Sequence, residues 1–160
     1  MRFTAACAIA VRNRAFSNLK GQFRFTGMTI EKIEGTSQKL YALVAPLVMR
    51  RSVLRQNNNY PFYTSRSHTW LVAVEGSAAI GFIPIEISGK CAKINNYYIS
   101  SDNEELLSLM LQEAIRLFGE QYTLQSVTQV RHVPVFESNG FSPVKEWKLY
   151  TKMQRGNYGR

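Results

Sequence analysis

The run VPVFESNGFSPVKEWKLYTKM, Val133 to Met153, decides the fold. Its first six residues read as a short helix. Asn139-Gly140 follows, supplying the positive-φ position at which a chain leaves a helix without strain. Phe141 then enters an apolar position, and the β-branched and aromatic residues after it predict two strands joined by a turn.

Working outward, helices and strands alternate. Thr29 to Ile33 alternates polar and apolar residues and predicts an edge strand. Ser37 offers an N-cap, and Leu40, Leu43, Val44, Leu47 and Val48 follow at helical spacing, so a helix is expected from Ser37 to about Arg55. Pro46 inside it predicts a kink or a break into two helices. Trp70–Val74, Ala78–Ile87 and Cys91–Ile99 read as three antiparallel strands joined at Gly76 and Gly89, the second bent or bulged at Gly81 or Pro84. Asp102 or Asn103 caps a long helix from Glu104 to about Phe118. Tyr122–Thr128 reads as a strand, parallel to its neighbour through a right-handed crossover. Val130–Ser138 closes the pattern as a short helix.

With 160 residues, the chain suits one domain with its own core. No apolar run is long enough to span a bilayer, so no membrane partner is expected. Cys7 and Cys91 stand apart, which argues against a disulfide framework or a metal site and for a reducing, cytoplasmic setting. The net charge of +9 is uneven. Residues 1–30 hold Arg2, Arg12, Arg14, Lys20 and Arg24 with no acid. Residues 1–27 are therefore expected to be a basic extension outside the core fold, 28–154 the domain, and 155–160 a tail. The extension is also compatible with a mitochondrial transit peptide, or with translation starting at Met28.

The order of elements from about Thr29 to Met153, the segment WLVAVEGSAAIGFIPIE and the closing Gly140-Phe141 together resemble the Gcn5-related N-acetyltransferase (GNAT) superfamily. The resemblance implies an α/β fold with a mixed, mostly antiparallel twisted sheet flanked by helices. It implies an acyltransferase that takes acetyl-CoA as donor and an amine, small-molecule or macromolecular, as acceptor, with a dimer as one assembly. It further implies that the strand ending Tyr97-Tyr98-Ile99 splays from its neighbour and pairs with the pantetheine arm, with Ser101 and Asn103 at the pyrophosphate turn and Gln129 and Phe136 on the far side.

Two departures from the family pattern stand out. The pyrophosphate turn of the family reads (Arg/Gln)-x-x-Gly-x-(Gly/Ala), whereas this chain has Ser100-Ser101-Asp102-Asn103-Glu104-Glu105, with no glycine, no base and three acids. Phe136 stands where the family often has a proton-donating tyrosine, and phenylalanine has no proton to give. Three readings follow from the first departure: acetyl-CoA held by basic residues elsewhere, a different donor, or a GNAT-like domain without acetyl transfer.

Glu86 is the candidate base. It shares a strand face with Phe82 and Pro84, and apolar neighbours raise a carboxyl pKa towards that of a useful base. A solvated strand end is the plainer alternative. Tyr98, the first candidate, Tyr97 or Tyr150 could supply a hydroxyl, though buried strand tyrosines are usually structural; Asn95 and Asn96 could orient an acceptor or be plain edge residues. His132 reads as a surface helix residue. Between Glu34 and Glu75 there is no acid, while Lys39, Arg50, Arg51, Arg55 and Arg66 interleave with Tyr60, Phe62, Tyr63 and Trp70. Of these, Arg50, Arg55, Tyr60, Tyr63 and Arg66 are the candidate acceptor residues. A basic aromatic surface suits an acidic small molecule, a nucleotide or nucleic acid, and equally a solvated helix face.

Overall fold

A computed structural model describes residues 27–156 and the backbone of Ala8–Ala10. The rest of the expected extension and the last four residues lie outside the described residues. The strands are β1 (Ala8–Ala10), β2 (Met28–Glu34), β3 (His68–Glu75), β4 (Ala78–Ser88), β5 (Cys91–Ile94), β6 (Tyr98–Ile99), β7 (Thr123–Gln129), β8 (Ser142–Glu146) and β9 (Tyr150–Arg155). They form one sheet in the order β1-β2-β3-β4-β5-β7-β9-β8, with β6 also paired to β4. All pairings are antiparallel except β5–β7. This is the mixed, mostly antiparallel sheet expected.

The helices are α1 (Gln38–Val48), α2 (Arg51–Gln56), α3 (Glu104–Phe118) and α4 (Val133–Ser138). Alternating strand residues send side chains to opposite faces, and each face has its own core. Ile83, Ile85, Ala92 and Ile94 meet Leu107, Met110 and Leu111 of α3 and Phe136 of α4. Trp70, Val72 and Phe82 meet Leu40, Val44 and Leu47 of α1 and Val53 of α2. No helix of the described residues is long and apolar enough to cross a membrane.

Four expectations are sharpened or corrected. The first helix is indeed two, but the break falls at Met49–Arg50, because Pro46 is accommodated in the last turn of α1. β2 is not an edge strand, since Ala8–Ala10 pairs along it through Ala8↔Glu31, Ile9↔Ile30 and Ala10↔Thr29. Arg155, placed in the tail, is the last residue of β9 and pairs with Leu124.

The fourth correction positions the site. The single strand expected over Cys91–Ile99 is interrupted between Ile94 and Tyr98. On its β3 side β4 shifts register beside Gly81, leaving Ile80 unpaired. On its other side, Ile85 pairs with Ile94 and Phe82 with Tyr98, so Asn95, Asn96 and Tyr97 face only Ile83 and Pro84. Proline has no N–H to give the ladder. The extra residue is absorbed as a bulge, with Asn96 at φ +54°.

Candidate active site

Below the bulge the sheet opens. β5 and β7 pair in parallel from Cys91↔Thr123 to Ile94↔Ser126 and no further. Beyond that point β6 stays with β4, while Val127–Gln129 stays with β9 alone. Two strand edges therefore face each other across a wedge without a ladder between them. One side chain spans it. The buried Tyr97 hydroxyl accepts the Gln129 N–H at 3.3 Å and lies 2.8 Å from His132 Nδ1.

The proton order follows from the donors. Gln129 N–H can only donate, so the Tyr97 oxygen accepts it and its own hydrogen is free for Nδ1 of a neutral His132. Burial keeps His132 neutral by holding its pKa below the usual 6.5, and the Arg131 guanidinium adds to this while Asp102 opposes it. Burial likewise pushes the Tyr97 phenol well above its usual range. His132, expected on the surface, is 3% exposed. Its Nε2 lies 3.2 Å from Asp102 Oδ1, which pulls its pKa back up, and Gln129 Oε1 is buried without a partner. Buried polar atoms rarely remain unmet. Gln129 Oε1 leaves one buried acceptor beside the Tyr97 bridge that water or a donor group would satisfy.

At the mouth lies the acidic turn. Ser101 and Asp102 take φ of +56° and +48°, a conformation that glycine adopts at least cost. Asn103 caps α3, its Oδ1 accepting Leu106 N–H at 3.1 Å. Asp102 points across the wedge to Arg131, which donates through Nε at 2.9 Å and Nη2 at 3.0 Å, with Nη2 also reaching the Gln56 carbonyl at 3.2 Å. The turn that carries no base in its own sequence thus receives one from 29 residues further along.

On the α1–α2 face of the sheet, beside the bulge, lies a cavity of about 70 Å³. Its floor is the β4–β5 pair Glu86 and Lys93, with Pro84 beside them; His68 and Tyr63 wall it, and Asn95 and Asn96 close it towards the wedge. His68 is the direct cross-strand partner of Glu86. Its Nδ1 is 2.7 Å from Ser65 Oγ and its ring stacks edge-on with Tyr63 at 5.0 Å. Burial lowers its pKa, against the pull of Glu86. Gly35 supports this wall: a Cβ there would collide with the Ser65 carbonyl and Thr64 Oγ1.

The candidate residues separate accordingly. Glu86 and Tyr63 line the cavity; Tyr98 does not, lying against Phe82 at 5.6 Å. Phe82 and Glu86 are four residues apart on β4, about 13 Å along a strand, so Glu86 and Tyr98 are not brought together. Ile99 is in the core, and Phe136 is fully buried with its ring against Tyr97 and Phe141. Arg50, Arg55, Arg66 and Tyr60 are exposed outside the cavity. Tyr60 instead packs edge-on to Tyr150 at 6.1 Å, while Asn57 reaches Asn96 at 3.1 Å, tying the end of α2 to the bulge. The sequence reading missed His68 and Arg131 as site residues and put His132 on the surface. No local signal marked the first, because the strand expected from Trp70 begins two residues earlier, at His68.

Both histidines make stability depend on pH. Their pKa values are lowered in the folded chain, so the unfolded chain binds more protons, and the contribution is complete above about 6.5 and lost as pH falls below it. The melting temperature should therefore drop as pH is lowered from about 7 to about 5, with a shallower slope in His132→Asn. Parallel slopes would contradict the buried, neutral His132.

Solved structures share this architecture. Escherichia coli ElaA superposes with a TM-score of 0.60 at 18% identity, covering 79% of this chain and 98% of its own. The ribosomal-protein-S18-alanine N-acetyltransferase from Escherichia coli gives 0.58 at 13%, covering 80% and 92%. A GNAT family acetyltransferase from Elizabethkingia anophelis with acetyl-CoA bound gives 0.52 at 14%, covering 80% and 95%. The sequence matches no protein-family model and no curated protein. The chain has the GNAT fold, and at these identities the likeness is one of architecture.

Proposed function

We propose that this chain is an acyltransferase that moves an acetyl group from acetyl-CoA to an amine, with the wedge between β6 and β7 as the donor slot. The observation that carries this reading is the pair of unladdered strand edges at Tyr97–Ile99 and Val127–Gln129, with Gln129 Oε1 buried beside them without a partner. Free backbone edges suit an arm rich in amides, such as pantetheine. The donor would supply an activated thioester, and with both partners held in place proximity supplies much of the rate.

The chain's own residues divide the remaining work. Glu86 and the neutral His68 are placed to take one proton from the acceptor ammonium, leaving a nucleophilic amine. The amine nitrogen forms the new C–N bond as the C–S bond breaks. As charge gathers on the sulfur, the Tyr97 hydroxyl, kept protonated by burial, turns its one hydrogen from His132 Nδ1 to the sulfur. The second amine proton ends on the released thiol. In this reading Tyr97 stands in for the hydroxyl absent at Phe136, whose ring it touches at 5.7 Å.

Arg131 supplies the cation that the turn lacks. Its ion pair with Asp102 is 41% and 37% exposed, and such pairs contribute at most about 1 kcal/mol. A pyrophosphate, with more charge and more acceptor oxygens than one carboxylate, takes the guanidinium at small cost. Calorimetry compares CoA with pantetheine, which lacks the pyrophosphate. Arg131→Gln should weaken CoA binding by about tenfold or more while leaving pantetheine unchanged. An equal loss for both ligands, or no loss for either, would remove Arg131 from this role.

A further inference from the structure

The cavity beside the bulge carries a more specific message about the acceptor. Glu86 and Lys93 are direct cross-strand partners, both half-buried, and both line it. Opposite charges so placed have Cβ atoms about 5 Å apart and normally pair. Here they do not. Lys39–Glu31, Arg116–Glu113 and Arg131–Asp102 form ion pairs among the described residues, whereas Glu86 and Lys93 form none with each other within 4.0 Å. The cavity thus presents a carboxylate and an ammonium side by side with no ion pair between them, the carboxylate facing the neutral His68 across the strand.

We propose that this cavity binds the head of an α-amino acid, ammonium on Glu86 and carboxylate on Lys93, as the acetyl acceptor. The assignment rests on the acetyl-transfer reading above and names its acceptor class. A simple amine or polyamine would answer Glu86 and be repelled by Lys93. An acidic molecule without an amine would do the reverse, so only a ligand carrying both charges satisfies the floor. The cavity of about 70 Å³ takes such a head and leaves the rest of the molecule to extend past Tyr63, which is 62% exposed. The orientation is also productive. Glu86 and His68 meet the nitrogen, and Asn95 and Asn96 lead from the cavity directly to Tyr97 and the wedge. The candidate acceptor arginines Arg50, Arg55 and Arg66 are then not needed for the head, and they remain free to act on whatever the side chain carries.

The test follows thiol release from acetyl-CoA by the full-length protein, comparing amino acids with their decarboxylated amines, for example phenylalanine with phenethylamine and lysine with cadaverine. The amino acid should be preferred in kcat/KM by about tenfold or more. Lys93→Met should abolish that preference by raising KM for the amino acid and lowering it for the amine, which the ammonium no longer repels. Equal use of both ligand types, or equal effects of Lys93→Met on both, would overturn the assignment. Donor failure is read separately. If CoA produces no calorimetric signal with the wild-type protein, acetyl transfer falls. The cavity is then judged by the amide NMR shifts of Lys93, Asn95 and Asn96 on adding amino acid or amine alone. A response to the amino acid only supports a zwitterion site, and no response, or the same response to both, refutes it.

Discussion

Replacing Tyr97 by phenylalanine should lower kcat for acetyl transfer on the order of a hundredfold, the usual effect of losing one donor aimed at developing charge. The ring packing against Phe136 and His132 is retained in this variant, with centroids at 5.7 and 5.5 Å in the wild type. What is lost is one hydroxyl, which accepts from Gln129 N–H and serves His132 Nδ1. The unmet Gln129 N–H also costs stability, about 1–3 kcal/mol, so the kinetic split matters. If Tyr97 acts on the leaving sulfur, kcat falls while the affinity for CoA changes little. A thioester whose leaving thiol is more acidic should narrow the gap between wild type and variant, because a stable thiolate needs less help. A purely structural Tyr97 would instead lower affinity and rate together, whichever thiol departs.

The second large effect is on stability. Phe136 is fully buried, its ring 5.7 Å from Tyr97 and 5.1 Å from Phe141. Phe136→Ala should cost about 3–5 kcal/mol through lost burial and the cavity left behind. In a domain of this size that lowers the melting temperature by roughly 6–20 °C. Phe136→Leu refills part of the space and should recover much of the loss. A loss below about 1 kcal/mol in Phe136→Ala would show that the α4 packing is not as tight as the contacts imply.

The sequence was most legible where a local rule acts alone. Asn103 caps α3, Gly140 sits at φ +88° before the buried Phe141, and Ser37 receives the Lys39 N–H at 3.2 Å. Alternation placed Glu86 on the face opposite Ile83 and Ile85. Pro84 was legible as a disturbance of β4, but its consequence falls on another strand. The ladder fails opposite it, breaking β5 from β6 and creating the bulge that starts the wedge.

Long-range pairings were not legible. Asp102 and Arg131 are 29 residues apart, and Tyr97 and His132 are 35 apart. In the sequence Asp102 read as a cap at the acidic turn, Tyr97 as part of the pantetheine strand and His132 as a surface helix residue, while Arg131 carried no reading. The parallel return of β7 beside β5 was expected from the crossover, but which side chains meet in the gap depends on where the ladder ends. The absent charge pair of Glu86 and Lys93 was equally hidden, since spacing reports which residues face each other and not whether their charges meet.

Hydrogen exchange of the backbone amides at Tyr97–Ile99 and Val127–Gln129, followed by NMR with and without millimolar CoA, tests the donor slot most directly. Occupation of the wedge predicts slowed exchange at amides on these two edges and unchanged exchange on the β2–β3 side of the sheet, far from the gap. Unchanged exchange at both edges with saturating CoA would contradict the account, because a ligand seated there has to cover the backbone that the sheet leaves unpaired.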